Sequence, residues 1–194
     1  MARNKEFDMN VVLRKAMEVF GHYGYEGTSL PILLQELGIA RQSLYDTYGT
    51  KKDLFIKAVK HYVNEKSSAV VVYLEKSESV KEAINAIFRE IVFVLQDEDR
   101  RNECFILNSA IDQVPHEPEI AALFEEDRIK LERAFHDALV RGKRRQELST
   151  EQDLQALARY LYHARYALTQ VAKLTSNPEV LEDFAKVSLS ILEA

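Results

Sequence analysis

Cys104 and His163 carry a thiol and an imidazole, two groups that can do redox or metal chemistry. Cys104 is the single cysteine among 194 residues, so it cannot form an internal disulfide or complete a cysteine-rich metal site. An exposed thiol near Arg100 and Arg101 would favour a thiolate that senses oxidants or electrophiles, whereas a buried thiol acts as a small hydrophobic group. His163 lacks a second histidine or clustered carboxylates at helical spacing. We interpret it as a core or pocket residue and predict no metal site.

Motifs for catalysis do not occur in this sequence. We find no recognisable pairing of a nucleophile with a base, no glycine-rich phosphate loop and no HExxH metal motif. The sequence therefore predicts a protein that is not an enzyme and that holds no cofactor.

Charge is distributed unevenly along the chain, whose formal net charge is -5. Residues 1–60 contain nine Lys or Arg against seven Asp or Glu, whereas the remaining residues contain 17 against 24. The basic excess of the first part is small, and phosphate binding depends on where cations lie as well as on their total. The N-terminal part is therefore the candidate for contact with nucleic acid.

The composition is that of a helix-rich protein, with 46% apolar residues, 6 glycines and 4 prolines. No stretch approaches the roughly 18 consecutive apolar residues that a membrane span needs. The polar start MARNKEFDMN lacks the apolar centre of a signal peptide. We therefore expect a cytoplasmic protein with no membrane partner.

The first fifty residues predict three short helices separated by tight turns. Apolar residues at helical spacing indicate the first helix, from Asp8 to about His22, with Asp8 as its cap. Gly24 suits the left-handed residue that ends a helix. The apolar face of this helix is predicted to contain Val12, Ala16, Val19, Phe20 and Tyr23.

The second and third helices are bounded by capping and breaking residues. Thr28 or Ser29 can cap the second helix, which we expect to run through Leu37. Gly38 then breaks the chain, and a third helix is predicted from Ala40 to about Tyr48.

Six longer helices are predicted in the rest of the chain, which makes the fold all-α with about nine helices. The β-branched run SSAVVVYLE could form a strand, but it has no alternating partner nearby, so we predict that it is helical. The predicted helices run over about 51–76, 80–96, 102–113, 118–145, 150–174 and 178–192.

A resemblance to the DNA-binding region of TetR-family transcriptional regulators is carried by GYEGTSLPILLQELGIARQSLYDTYGTKKDLF, residues 24–55. With the segment from Phe20 that ends the first helix, it covers 36 of the 194 residues. Two positions depart from the commonest family pattern. Gln42 stands where a small residue is frequent, and Tyr48 stands where Phe usually packs. We expect the Tyr48 ring in the core and its hydroxyl at the surface.

The resemblance implies that the third helix is a recognition helix that lies in the major groove of double-stranded operator DNA. Arg41 would pair with guanine and Gln42 with adenine, and Tyr45 would reach a phosphate or a thymine methyl group. The implied contact set on this helix is Arg41, Gln42, Ser43, Tyr45 and Thr47.

Phosphate contacts are implied at the starts of two other helices. Thr28 and Ser29 open the second helix and Lys51 opens the fourth, and helix N-termini offer free amides and the positive end of a dipole. These contacts would set the position of the protein on DNA and not its sequence preference.

Domain organisation follows from the same resemblance. Residues 1–50 would form the helix-turn-helix DNA-binding domain, and residues 51–194 would bind a small-molecule effector and form a homodimer through the last two helices. Those two helices carry more apolar surface than one side of a small bundle needs. The candidates for the effector pocket are Phe88, Phe93, Cys104, Phe105, Asn108, Tyr162, His163 and Tyr166.

Asn108 lies inside the apolar run CFILNSAI and has two interpretations. If it is buried, its amide must find a hydrogen-bond partner, such as an effector or a structural water. If it lies on an outer face, solvent satisfies it.

The expected function is that of a ligand-responsive repressor that binds a palindromic operator as a dimer and is released by its effector. The alternatives are an activator, or a regulator controlled by a protein partner or by oxidation of Cys104.

Overall fold

The computed structural model describes residues 9–192, and this span consists of helices joined by turns and loops, without a strand. The predicted all-α class is thereby confirmed. Nine helices occur in the described span: α1 (Met9–Tyr23), α2 (Leu30–Leu37), α3 (Arg41–Thr47), α4 (Lys51–Lys76), α5 (Val80–Gln96), α6 (Arg101–Gln113), α7 (Pro118–Arg144), α8 (Leu154–Leu174) and α9 (Pro178–Ser190).

The chain divides into two compact units that do not follow a single cut in the sequence. One unit contains the chain up to Val63 together with Asn102–Ala121, and the other contains Asn64–Arg101 and the chain from Ala122 onward. Helices α4 and α7 therefore contribute residues to both units.

Most helix boundaries agree with the sequence expectations because capping residues set them. Ser29 caps α2 by accepting a hydrogen bond from the amide of Ile32, and Gly38 ends that helix in the left-handed conformation, at φ 64°. The run SSAVVVYLE is helical, as predicted, within α4. The cap expected of Asp8 lies outside the described residues.

The start of α8 was placed wrongly. We expected it near Thr150, but the helix begins at Leu154, because the carboxylate of Asp153 caps it. Oδ1 of Asp153 accepts hydrogen bonds from the amides of Gln155 and Ala156, at 2.7 and 3.1 Å. Thr150 is buried ahead of the helix.

Helices α1 and α6 pack closely in the first unit. Four of the five residues expected on the apolar face of α1 are buried, whereas Tyr23 is exposed at the C-terminal end of that helix. Gly21 lies inside α1, where an added Cβ would overlap the carbonyl oxygen of Asn102. The hydroxyl of Ser109 on α6 donates to the carbonyl of Phe20, at 3.1 Å. Gly21 therefore permits a close helix contact rather than a turn.

The second unit is built on contacts among α5, α8 and α9. Each of these helices contributes a stripe of buried apolar residues, such as Phe88 on α5, Leu161 on α8 and Leu181 on α9. None of the helices within residues 9–192 combines the length and the apolar character that a membrane crossing would require.

Candidate nucleic-acid interface

Helix α3 is short, and packing at its C-terminal half holds it in place. Leu44 and Tyr48 are both buried, as their spacing of four residues predicts for one face of a helix. Lys57 on α4 donates from Nζ to the carbonyl oxygen of Tyr48, at 2.9 Å, which satisfies a carbonyl at the end of α3. Sequence reasoning missed this role of Lys57, which only the tertiary structure reveals.

The hydroxyl of Tyr48 does not reach the surface as expected. Its side chain is 3% exposed and the oxygen itself is buried. The whole side chain, and not only the ring, therefore belongs to the support beneath α3.

The outer face of α3 presents two pairs of side chains, each pair four residues apart. The guanidinium carbon of Arg41 lies 5.7 Å from the centre of the Tyr45 ring. Beside it, Nε2 of Gln42 donates to Oδ1 of Asp46, at 2.7 Å. All four side chains are exposed, and so is Thr47.

This face combines side chains of the types that can pair with base edges with a carboxylate that orients one of them. A guanidinium and an amide are the donors that pair with guanine and adenine in a major groove. Asp46 is absent from the contact set expected from the sequence, although it fixes the amide of Gln42. The spacing of four residues between Gln42 and Asp46 could have predicted this hydrogen bond from the sequence. Ser43 is partly exposed next to them.

Two of the residues expected to contact phosphates, Thr28 and Lys51, form hydrogen bonds within the protein at the turn before α2. Thr28 is fully buried and its hydroxyl donates to the carbonyl of Gly24, at 2.6 Å. Nζ of Lys51 donates to the carbonyl oxygens of Tyr25 and Thr28, at 2.9 and 3.0 Å, and lies 4.3 Å from the centre of the Tyr25 ring. Burial removes the Thr28 side chain from any surface that a phosphate reaches, which corrects its expected role. Ser29 remains exposed at the start of α2.

Thr50 and Asp53 cap the start of α4 reciprocally. The carboxylate of Asp53 accepts from the amide and the hydroxyl of Thr50, at 2.8 and 2.7 Å, and the amide of Asp53 donates to the same hydroxyl, at 3.2 Å. These hydrogen bonds lower the pKa of Asp53, the backbone bond from Thr50 having the largest effect. This cap fixes the first turn of α4, and the bonds of Lys51 hold that turn beside the one that precedes α2.

The comparisons with known proteins agree with this geometry. The model of the family of bacterial regulatory proteins, tetR family, matches residues 12–58, which span most of α1, all of α2 and α3, and the start of α4. Over its full length the chain is 56% identical to the HTH-type transcriptional regulator YezE of Bacillus subtilis (strain 168), and the match covers 100% of both chains. The chain belongs to the TetR family.

Two further relatives of this TetR-family chain are informative. The HTH-type transcriptional repressor ComR of Escherichia coli (strain K12) is 28% identical over 192 residues, which cover 97% of this chain and 90% of ComR. A solved structure of a cysteine mutant of the TetR-family regulator CifR, complexed with 26-bp double-strand operator DNA, superposes with a TM-score of 0.80 at 27% identity. That match covers 96% of this chain and 98% of CifR.

The effector-pocket candidates of this TetR-family chain fall in both compact units. Phe88, Phe93, Tyr162, His163 and Tyr166 belong to the second unit, and the three candidates on α6 belong to the first. Phe88 and Tyr162 are buried, and Tyr166 donates from its hydroxyl to Oδ2 of Asp127, at 2.7 Å.

Two candidates of the second unit lie at its surface. His163 is exposed, because it lies two residues from the buried Leu161 and so on the opposite face of α8. The expectation of a core or pocket histidine is wrong. Phe93 is 58% exposed and lines an open groove of about 620 Å³ between α5 and α9, together with Arg89 and Glu182.

The three candidates on α6 are all buried. Burial of Asn108 excludes the interpretation in which solvent satisfies its amide. Burial of the Cys104 thiol favours its interpretation as a small hydrophobic group. The side chain of Phe105, the third candidate on α6, is also buried. Among the described residues, no group of three potential metal ligands occurs.

Arg165 is a residue that sequence reasoning missed. It lies on α8 beside two of the pocket candidates, and its guanidinium carbon is 5.7 Å from the centre of the Tyr166 ring. The signal was present in the sequence, because three of its four neighbours at helical spacing, Leu161, Tyr162 and Leu168, are apolar or aromatic.

Proposed function

We propose that this chain is a ligand-responsive transcriptional repressor that binds a palindromic operator as a dimer and releases it when a small molecule binds the C-terminal part. The observation that carries the proposal is the outer face of α3, where Arg41 and Gln42 are exposed on a helix fixed at its buried face. In this proposal Arg41, Gln42, Ser43, Tyr45 and Thr47 meet the major groove. Ser29 and the backbone at the start of α2 hold the phosphates, and Lys51, whose Nζ is bonded to the carbonyls of Tyr25 and Thr28, adds positive charge beside them.

The relatives support both the repressor role and the operator binding in this proposal. ComR is described as a repressor, and the CifR structure contains operator DNA. We accordingly assign the DNA-binding function to residues 1–50, and effector binding and dimerisation to residues 51–194. The protein would act in the cytoplasm, where its operator lies.

Apolar side chains on the last two helices support the proposed homodimer. Leu174 at the end of α8 is 87% exposed, and Val187 on α9 is 70% exposed. Val180 lies seven residues before Val187, on the same face of α9, and is also exposed. A second copy that packs on these helices would bury this surface. Its two recognition helices would then meet half-sites about one DNA turn apart.

Selection from a genomic DNA library tests the proposal. The full-length protein is incubated with fragments at two salt concentrations, and the retained fragments are sequenced. We expect a palindromic sequence whose affinity falls steeply with salt, because phosphate contacts release counterions.

A matched pair of variants makes the selection specific to α3. Arg41→Ala removes the proposed guanine contact, which should weaken binding to the recovered palindrome by about 10- to 100-fold. Arg133→Ala removes an exposed arginine on α7 and should leave the affinity unchanged. Equal enrichment of all fragments by the wild-type protein would contradict the proposal.

A further inference from the structure

Arg165 is half-buried and lies in the middle of the buried stripe of α8. Its neighbours one helical turn away are Leu161 and Tyr162 on one side and Leu168 and Thr169 on the other, and all four are buried. A charged residue at the centre of such a stripe is costly, because burial removes a guanidinium from water. A stripe of this kind is ordinarily filled by apolar side chains.

The guanidinium of Arg165 is incompletely paired inside the second unit. Its Nε and Nη1 atoms are buried and have no hydrogen-bond partner among the residues that the structure describes. A guanidinium binds a carboxylate along either of two edges, one formed by Nε and Nη2 and the other by Nη1 and Nη2. Each edge of Arg165 therefore contains one unpaired nitrogen.

The nearby carboxylate of Asp127 is already bonded to hydroxyl groups. Ser67 on α4 donates to its Oδ1, and Tyr166 donates to its Oδ2, at 2.7 Å. Asp127 is 4% exposed. Burial, followed by the negative charge of Asp127, raises the pKa of Tyr166, so its hydroxyl keeps the proton that it donates. Asp127 therefore supplies no acceptor to Nε or Nη1 of Arg165.

Aromatic rings lie beside the same guanidinium. The rings of Tyr162 and Tyr166 are 5.2 Å apart, and the ring of Phe124 lies 5.8 Å from that of Tyr166, both pairs edge to face. Such rings contact the apolar body of a small molecule. The residues around Arg165 thus combine one unpaired cation with apolar and aromatic surface.

We propose that the effector of this protein is an organic carboxylate with an apolar body, and that its carboxylate binds the guanidinium of Arg165. The inference rests on the proposed function, since it names the chemical class of the effector. The carboxylate supplies the acceptor that Nε or Nη1 lacks, and the apolar body packs against Tyr162, Tyr166 and Phe124. The charge of Asp127 disfavours a second negative group, so the effector is a monoanion.

Thermal unfolding of the full-length protein with matched probes tests this assignment. The probes are octanoate and phenylacetate, each compared with its neutral amide, octanamide and phenylacetamide. We expect the carboxylates to raise Tm and to bind about 10- to 100-fold more tightly than the amides, because a charged acceptor strengthens the hydrogen bonds of Arg165.

Two substitutions on α8 separate Arg165 from general charge effects. Arg165→Gln should abolish the difference between carboxylate and amide. Arg159→Gln removes an arginine whose side chain is 62% exposed on the same helix and should preserve the difference. If Arg165→Gln unfolds, Arg165→Lys keeps the charge without the planar edges and should reduce the difference partially.

Three results overturn the assignment. These are equal binding of carboxylates and amides by the wild-type protein, an undiminished preference in Arg165→Gln, and no response to either carboxylate. Affinity for the recovered operator is measured on the same samples. Operator binding without a carboxylate response rejects this inference alone, whereas a carboxylate response without any operator rejects the proposed repressor and leaves the binding site in place.

Discussion

At the scale of single residues, Asp46 has a defined part on the outer face of α3. It accepts a hydrogen bond from the Gln42 amide, so the orientation of that amide is set before any contact with DNA. A side chain with a fixed orientation loses less conformational entropy on binding than a mobile one. Asp46 is thus a positioning residue in the proposed interface.

The substitution Asp46→Ala tests whether Asp46 positions the Gln42 amide. We expect discrimination between the operator and a version changed at the base pair read by Gln42 to fall about tenfold, since a good bidentate pair contributes about 1–3 kcal/mol. Affinity for unrelated DNA should rise, because a carboxylate near the phosphates is lost. Fluorescence anisotropy with the two duplexes measures both effects. Asp112→Ala, an exposed acidic residue on α6, is the control and should alter neither.

Exposure of the α3 residues could be predicted from the sequence, because it follows from helical spacing around Leu44 and Tyr48. The roles of Thr28 and Lys51 could not. Thr28 bonds to the carbonyl of Gly24 within the turn before α2. The bonds of Lys51 to the carbonyls of that turn depend on how α4 lies against it. The position of Arg165 was predictable in principle, since spacing alone places it on the buried stripe.

At the scale of elements, the contact of α1 with α6 depends on the missing side chain of Gly21. A methyl group there would meet the backbone of Asn102, which cannot move without shifting α6. At Gly38, by contrast, an added Cβ meets nothing within 4 Å, and only the left-handed backbone opposes substitution.

We therefore expect Gly21→Ala to destabilise the protein more than Gly38→Ala. Overpacking of this kind costs about 1–3 kcal/mol or more, whereas alanine in a left-handed position costs about 1 kcal/mol. Chemical denaturation of the two variants measures the difference in the free energy of unfolding. Equal destabilisation by both substitutions would show that α6 adjusts to the methyl group.

The cap of α8 predicts a pH-dependent effect. Hydrogen bonds from the amides of Ala156 and Gln155 lower the pKa of Asp153. Its carboxylate therefore contributes stability above its unfolded pKa of about 3.9, and this contribution is lost as the pH falls through the lower folded pKa. We expect Asp153→Ala to lower Tm by a few degrees at pH 7 and by much less below pH 3.

Scanning calorimetry across this pH range checks the prediction. Glu151→Ala removes an exposed acid two residues before the cap and serves as the control. A Tm difference for Asp153→Ala that persists unchanged well below pH 3 would contradict a charged cap.

Helix bounds were predictable wherever caps and breakers stand at the end of an apolar repeat. The bounds of α4 and α5 agree with the sequence expectation at both ends. The start of α8 was missed because Thr150 and Asp153 are both capping residues, and the choice between them depends on the burial of Thr150.

At the scale of the whole molecule, the proposed dimer depends on the exposed faces of α8 and α9. Val187→Asp places a carboxylate on the most exposed valine of α9. We expect dimerisation to weaken about 100-fold, because an unpaired charge would be buried in the interface. Operator affinity should fall with it, since one recognition helix reads only half of a palindrome.

Sedimentation equilibrium of the two proteins at micromolar concentration checks this prediction. Val72→Asp, at an exposed valine on α4, is the matched control and should sediment like the wild type. A Val187→Asp protein that remains dimeric would show that the dimer interface does not lie on this face of α9.

The chain passes between the two units at three places, after Val63, Arg101 and Ala121. In the design of chimeric proteins, the N-terminal helices therefore cannot be transferred as one continuous segment. A chimera that fused residues 1–63 to a foreign sensing half would leave α6 behind, and with it the hydroxyl of Ser109 that bonds to Phe20. The transplantable piece is discontinuous, so exchange of DNA specificity between relatives requires two matched segments, or surface substitutions on α3 alone.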